Sequence, residues 1–272
     1  MPKSITKLLV SLGIILCFSG FFGTAIAQSQ PVDPSCSNLS QSSPLKKSSS
    51  APLTIEEAIK DASKPEPCER STNLIPITKD NPRLIWNDDG QVLMVTWKGD
   101  CDSGKESISC KKTRETYPVK KEKSLWLTAV PELKEFVLIQ DYLVKQNQTG
   151  GNLSSWLSSR LKQYLGLKPN SNYTRFVEVW VNPKDLIRPC VDQGIDDTEC
   201  NFPDSNTSYD YDPRQNTTSP MTGFGYTYDW GNPNTDIGAS EFVIKAGATV
   251  TIHENQSTSD YLQGLTPHLQ QK

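Results

Sequence analysis

The chain has 272 residues, with 28 Lys and Arg residues against 31 Asp and Glu residues and a formal net charge of −3. After removal of both chain ends, a body of roughly 200 residues remains, which is within the usual range of one domain. The mild acidity argues against nucleic-acid binding, which requires a dominant basic surface, and we expect no nucleic-acid partner.

The first 27 residues follow the order of a cleaved secretion signal. Lys3 and Lys7 form a positive start, residues 8–22 are nearly all apolar, and Ala25 and Ala27 are small residues at the cleavage positions. No second apolar run approaches the roughly 20 residues of a membrane span. We predict cleavage near Ala27 and a secreted or periplasmic mature chain without a transmembrane segment. Cleavage leaves 26 basic and 31 acidic residues, a net charge of −5.

Removal of the signal also removes Cys17 and leaves six cysteines. An even number of cysteines in an exported chain predicts disulfides, although sequence alone does not decide their pairing. We expect sequence neighbours to pair, as Cys36–Cys68, Cys101–Cys110 and Cys190–Cys200. Zinc is disfavoured, because the chain contains no C-x-x-C pair and only two histidines.

Composition divides the mature chain into three parts. Residues 28–52 are rich in Ser, Gln and Pro, which is typical of a flexible leader because such a segment buries little apolar surface. Residues 53–254 form the predicted globular domain. Residues 255–272 are again polar, and we expect them to form a frayed tail.

The first half of the domain contains clear helix and strand signals. Thr54 and Glu57 form a capping box, which predicts a short helix ending near Ala62. The sequence RLIWNDDGQVLMVTW predicts a hairpin that turns at its Asp-Gly pair. Residues 125–130 predict a strand, and the segment that begins with Pro131 has helical spacing.

The second half continues with alternating elements. Residues 152–165 have apolar residues, including Trp156, at helical spacing and predict a helix packed on the core. Residues 173–181 predict a central strand, and residues 241–252 predict a second hairpin. The order predicts a disulfide-braced α+β domain with a largely antiparallel or mixed sheet and two or three helices.

Several segments as a set resemble a group of exported bacterial proteins of uncharacterised function. These segments are LIPITKDNPRLIW, LWLTAVPELKEF, RLKQYLGLKPN with FVEVWVNPKDLIRPC, and GFGYTYDWGNP with SEFVIKAG. The resemblance covers about residues 73–252 and implies an extracytoplasmic bacterial setting. It implies no activity and no site residues.

Common catalytic and cofactor signatures are missing from the sequence. There is no G-x-S-x-G, no H-E-x-x-H, no G-x-G-x-x-G and no phosphate-binding loop, so we predict no cofactor. His268 lies in the predicted polar tail. His253 lies beside Glu254, where we interpret it as an ordinary residue at a strand end.

Two charged stretches are weaker candidates for binding. The first lies around Cys190–Cys200 and offers oxygen ligands for calcium, although its spacing does not match the twelve-residue calcium loop. Its candidate ligands are Asp192, Asp196, Asp197 and Glu199. The second stretch, residues 111–123, carries a net charge of +4 and could meet an anionic polymer. For both stretches, a solvated loop is the simpler interpretation.

The segment GFGYTYDWGNP places four aromatic residues two apart, which on an extended strand would all face one side. We expect Phe224 and Tyr226 to lie in the core, because exposure of four such side chains would favour aggregation. Tyr228, Trp230 and Asn232 lie nearer the turn, and we predict that they form the rim of a binding site.

Glu241 is the candidate catalytic residue. SEFVIKAG with its flanking strands resembles the closing strands of ADP-ribosyltransferase-like toxins, in which a Glu on such a strand engages the nicotinamide ribose. The likeness implies that role for Glu241, but the paired Glu two residues earlier is replaced by Ala239 and no clear aromatic–Arg motif precedes it.

Three functions remain open from the sequence. The chain could be a ligand- or partner-binding domain, which we favour. It could be an NAD-consuming transferase or glycohydrolase, or another extracytoplasmic hydrolase. It could also be a structural envelope protein.

Overall fold

The structure, a computed structural model, describes residues 52–102, 106–120, 124–146, 153–202, 206 and 209–265. The helices are α1 (Ile55–Ala62), α2 (Val130–Gln146), α3 (Leu153–Tyr164) and α4 (Thr258–Leu265). The strands are β1 (Val92–Lys98), β2 (Thr116–Pro118), β3 (Leu125–Ala129), β4 (Arg175–Val181), β5 (Leu186–Ile187), β6 (Tyr226–Tyr228), β7 (Ile237–Ser240), β8 (Phe242–Ile244) and β9 (Thr249–Ser257).

Seven strands form one antiparallel sheet in the order β2-β9-β4-β1-β3-β8-β5, and β6 pairs with β7. The fold is therefore α+β, as predicted, and β4 is central, as its two apolar faces indicated. The disulfides Cys101–Cys110 and Cys190–Cys200 are also confirmed. The expected Cys36–Cys68 bridge lies outside the described residues, as do the signal peptide and residues 28–51 of the leader.

Alternation of side chains along the strands gives the sheet two apolar faces. On one face, Val95 of β1 and Phe176 of β4 pack with Leu133 of α2, Leu161 of α3 and Leu262 of α4. Burial of each such side chain stabilises the fold by roughly 2 kcal/mol. Helices α2, α3 and α4 therefore cover this face of the sheet.

The opposite face packs on the chain that precedes β1. Met94, Val177 and Val179 pack there with Ile75 and Ile77. This segment is anchored to the disulfide loop, because the N–H of Ile77 donates to the carbonyl of Ile195.

The sheet divides between β1 and β3. Their register contains only Met94 opposite Ala129 and Val95 opposite Thr128, whereas β1 pairs with β4 along its whole length. Beyond Val95 the two strands lose their pairing. One half of the sheet thus comprises β2, β9, β4 and β1, and the other comprises β3, β8 and β5.

Two predictions that depend on contacts between neighbouring residues are confirmed, namely the start of α1 and the turn at Gly90. The N–H of Glu57 donates to Thr54 Oγ1 and the N–H of Thr54 donates to Glu57 Oε2, so the capping box starts α1. Gly90 takes the positive φ that its turn requires. The predicted strand before this turn is reduced to a bridge between Trp86 and Val92.

The predicted hairpin of residues 241–252 is wrong. β8 pairs with β3 and β5, and β9 pairs with β4 and β2, so the two segments bond to distant strands rather than to each other. The predicted domain end at residue 254 is also too early. β9 continues to Ser257, and α4 follows with Tyr261 and Leu262 buried in the core.

Candidate functional site

A partly open cavity of about 450 Å³ lies where the two halves of the sheet separate, and we call it the split-sheet cavity. β1, β3, β4, the turn after α3 and the loop that contains Met221 contribute to its walls. The residues that determine its chemistry are Trp97, Trp126, Tyr173, Phe176, Met221 and Glu241.

The aromatic wall of the cavity is rigidly held. Trp97 stacks on Phe176 with ring centroids 4.8 Å apart and lies 5.8 Å from the ring of Tyr173. Trp97 Nε1 donates to Thr258 Oγ1 over 2.8 Å, which ties the indole to α4. Since packing and this hydrogen bond fix the rings, a ligand would meet a preformed surface.

Glu241 lies on the other side of the cavity, directly before β8. Phe242 of β8 pairs with Leu127 of β3, which brings Glu241 beside Thr128 and the wall formed by Trp126. The N–H of Glu241 donates to the carbonyl of Gly225 over 2.8 Å and fixes the backbone. Its carboxyl group has no hydrogen bond or ion pair within the described part of the chain.

The environment of Glu241 favours its neutral form. The side chain keeps partial access to solvent because it faces the cavity, yet protein surrounds it closely. Burial therefore raises the pKa of Glu241 to about 8. Burial raises the pKa of Tyr211, with smaller contributions from the charges of Asp210 and Glu241, and the Tyr211 ring meets Trp126 edge-on at 5.4 Å. Glu241, Trp126 and Tyr211 are thus neighbours.

A second carboxyl group, Glu132 of α2, lies behind this wall. It accepts hydrogen bonds from Thr128 Oγ1 at 3.0 Å and from the N–H and Oγ of Ser240 at 3.0 and 3.1 Å. Burial raises its pKa to about 7 despite these bonds. Glu132 thus joins α2 to β3 and β7. It was not identified from the sequence, and the only sequence feature that could have identified it is its place as an acidic residue in the first turn of a helix.

The predicted rim of Tyr228, Trp230 and Asn232 is wrong. Tyr228 and Trp230 are buried against α1. Tyr228 Oη donates to Asp61 Oδ2 over 2.5 Å, Trp230 Nε1 donates to the carbonyl of Leu167, and Asn232 Oδ1 accepts from a backbone N–H in its own turn.

The four aromatic residues of this segment also fail to share one face. Gly223 and Gly225 have φ angles of +65° and +73°, which interrupt the extended backbone. A bulge in the pairing of β6 with β7 follows between Tyr226 and Tyr228, and Phe224 and Tyr226 enter a cluster separate from that of Tyr228 and Trp230. The core prediction for Phe224 and Tyr226 agrees with their burial.

The four calcium candidates do not converge. Asp197 faces buried Arg188 at 3.7 Å, and Glu199 pairs with Arg70 at 2.7 Å. Asp192 Oδ2 accepts from the N–H of Asn201, and Asp196 is exposed. Both cysteine sulfurs near Asp192 are in the disulfide and offer no thiolate to a metal. Asp192, Asp197 and Glu199 instead stabilise the loop around the Cys190–Cys200 disulfide through these hydrogen bonds and ion pairs.

Three other carboxylates, those of Asp61, Glu69 and Asp236, have oxygens within 4.8 Å of one another. Asp61 accepts from Tyr228 Oη, and Glu69 Oε2 accepts from the N–H of Glu66. Donors of the chain thus engage Asp61 and Glu69, and the group joins three segments of the fold.

His253 is the bulged residue of β9, since Glu178 pairs with Glu254 and Val179 with Ile252. Its Nε2 lies 4.0 Å from Glu178, which is buried in β4. Lys134 Nζ at 2.8 Å and Tyr261 Oη at 3.0 Å also hold this carboxylate. The group ties α2 and α4 to the sheet.

The basic stretch and the predicted tail are partly described. Within the described part of the 111–123 stretch, Lys120 pairs with Glu106 at 2.5 Å. His268 lies outside the described residues. No helix in the described ranges is both long and apolar enough to cross a membrane.

Comparison with protein families, curated proteins and solved structures finds no match to this chain. The interpretation of the split-sheet cavity therefore depends on its geometry and chemistry.

Proposed function

We propose that this chain is an exported ligand-binding protein and that the split-sheet cavity is its binding site. The observation that carries the proposal is a partly open cavity with a fixed aromatic wall and a carboxyl group that lacks a partner in the described chain. Small-ligand sites are typically concave and apolar, with few polar groups that orient the ligand. A ligand of one ring or a short branched apolar body suits these walls.

Export is the second part of the proposal. The two confirmed disulfides fit an oxidising compartment, and the N-terminal pattern and the resemblance to exported bacterial proteins support secretion or transfer to the periplasm. Sequencing the N-terminus of the mature protein tests this part. A start at Gln28 is expected, and an intact Met1 start in the exported fraction would contradict it.

Binding is tested by tryptophan fluorescence during titration with benzyl alcohol, a small neutral ring. We expect a saturable change in emission. Trp126→Ala should weaken binding roughly threefold to tenfold, because an aromatic contact contributes about 0.5–1.5 kcal/mol beyond its area. Trp156→Ala is the matched control, since Trp156 is exposed on α3 away from the cavity. Equal affinity of both variants and the wild type would refute the site.

An enzymatic function is the second candidate, since a carboxyl group with a pKa of about 8 stays protonated near neutral pH and suits a general acid. The same property disfavours the NAD-consuming chemistry, because positive charge developing on a ribose calls for an ionised carboxylate. NAD hydrolysis that disappears in Glu241→Gln would favour this candidate. A chain that neither binds benzyl alcohol nor turns over NAD would favour a structural envelope role.

A further inference from the structure

The groups around Glu241 indicate the charge of the ligand. The carboxyl group adjoins Trp126 and Tyr211 on one side and faces the cavity whose far wall contains Trp97 and Phe176. The cavity thus combines several aromatic rings with one acid. Aromatic faces carry negative electrostatic potential and attract cations within about 6 Å of the ring.

No cation forms an ion pair with this acid in the part of the chain that the structure describes. Lys98 borders the cavity, but it follows Trp97 on β1, and strand alternation directs the two side chains to opposite faces of the sheet. Burial lowers the pKa of Lys98 and raises that of Glu241, and no ion pair joins the two side chains in the described residues. In the described chain, the charge of Glu241 therefore has no counter-ion.

The energetics separate three ligand classes. A cationic ligand provides the missing counter-ion and also gains from the aromatic rings. A neutral ligand gains at most a hydrogen bond from the protonated acid. An anionic ligand is repelled by the ionised form, and the net charge of −5 of the cleaved chain adds to this repulsion.

We propose that the split-sheet cavity selects organic cations, namely amines or quaternary ammonium groups attached to a small apolar body, with Glu241 as the counter-ion and Trp126 and Trp97 as flanking aromatic surfaces. This inference rests on the proposed function, because it assigns a ligand class to the same cavity. The inference assigns the charge of the ligand, whereas the cavity walls determine which apolar body fits.

The test uses three probes with one ring and different charge: benzylamine, benzyl alcohol and benzoate. At about pH 7 we expect benzylamine to bind on the order of tenfold tighter than benzyl alcohol, and benzoate to bind most weakly. Glu241→Gln should abolish the preference for benzylamine over benzyl alcohol, because Gln offers a hydrogen bond but no negative charge. Intrinsic fluorescence and calorimetry both report these constants.

Proton release gives a second readout that mere loss of packing would not change. A cation lowers the pKa of Glu241, so calorimetry in two buffers of different ionisation enthalpy should show close to one proton released per benzylamine at about pH 7. The other titratable groups around this part of the cavity include Tyr211, Lys98 on the cavity wall, and Glu132, which accepts a hydrogen bond from Thr128. Glu241→Gln retains all three and should release almost no proton.

The outcomes separate this inference from the proposed function. Benzyl alcohol binding as tightly as benzylamine would overturn the selection of cations while leaving the cavity a binding site. Tighter binding of benzoate would overturn it as well. Failure of all three probes to bind the folded wild type would contradict the proposed function itself.

Discussion

Replacement of Glu241 by Gln should stabilise the protein in a pH-dependent manner. A pKa that rises from an ordinary 4.5 to about 8 on folding means that the folded state binds more protons than the unfolded state between these values. The stability of the wild type therefore decreases as the pH rises through this interval, and the full penalty is present above about pH 8. Gln has the same shape but does not ionise, so Glu241→Gln lacks this penalty.

The magnitude follows from the shift in pKa. At about 1.4 kcal/mol for each pH unit, the penalty is at most roughly 5 kcal/mol. Water that enters the cavity reduces it, and we expect Glu241→Gln to exceed the wild type by about 2–4 kcal/mol in unfolding free energy at about pH 8.5. Near pH 4.5 the difference should be below about 0.5 kcal/mol, because Glu241 is then protonated in the folded state and half protonated in the unfolded state.

Urea unfolding at several pH values measures this difference directly. The raised pKa of Glu132 also makes stability depend on pH, but that group is common to both proteins and cancels in the comparison. Glu56→Gln, at an exposed position in α1, is the control and should differ from the wild type by less than about 1 kcal/mol throughout. A difference for Glu241→Gln that does not grow with pH would refute the reasoning.

Two further predictions concern the support of the site, and urea unfolding checks both. Arg188→Met should lower the free energy of unfolding by about 3–5 kcal/mol, because the buried guanidinium donates to four backbone carbonyls. Arg70→Met is the control. It removes only an exposed ion pair with Glu199 and should lower the free energy of unfolding by less than about 1 kcal/mol. Equal costs would contradict the role of Arg188. Gly225→Ala should destabilise by roughly 3 kcal/mol or more, since the new Cβ would lie 2.5 Å from Arg188 Cδ. Gly247→Ala is the control, because Gly247 has a similar positive φ but open space around the position of the new Cβ. It should lose about 1 kcal/mol of unfolding free energy from backbone strain alone. An equal loss for Gly225→Ala and Gly247→Ala would exclude the steric explanation.

The sequence predicted features that depend on nearby residues. The capping box of Thr54 and Glu57 spans one helical turn, and the two confirmed disulfides close loops with sequence separations of 9 and 10 residues. Such contacts form with little loss of chain entropy and leave clear local patterns. The helix of residues 152–165 was likewise evident from its spacing, although Trp156 proved to be exposed.

Features that depend on distant partners were missed. Tyr228 is buried because its hydroxyl meets Asp61, 167 positions earlier in the chain. The cavity exists because β1 follows β4 and leaves β3 after Val95, a choice of partner that no local pattern encodes. Glu241 was identified only as a possible catalytic carboxylate through a short resemblance. Its lack of a partner is a property of the packed structure.

A crystal structure of the protein with benzylamine would show whether the split-sheet cavity binds an organic cation through Glu241. We expect the ring to lie in the split-sheet cavity against Trp97 or Trp126, with the nitrogen about 3 Å from a carboxylate oxygen of Glu241. Benzylamine bound elsewhere, or a cavity closed by its own side chains in these crystals, would contradict it.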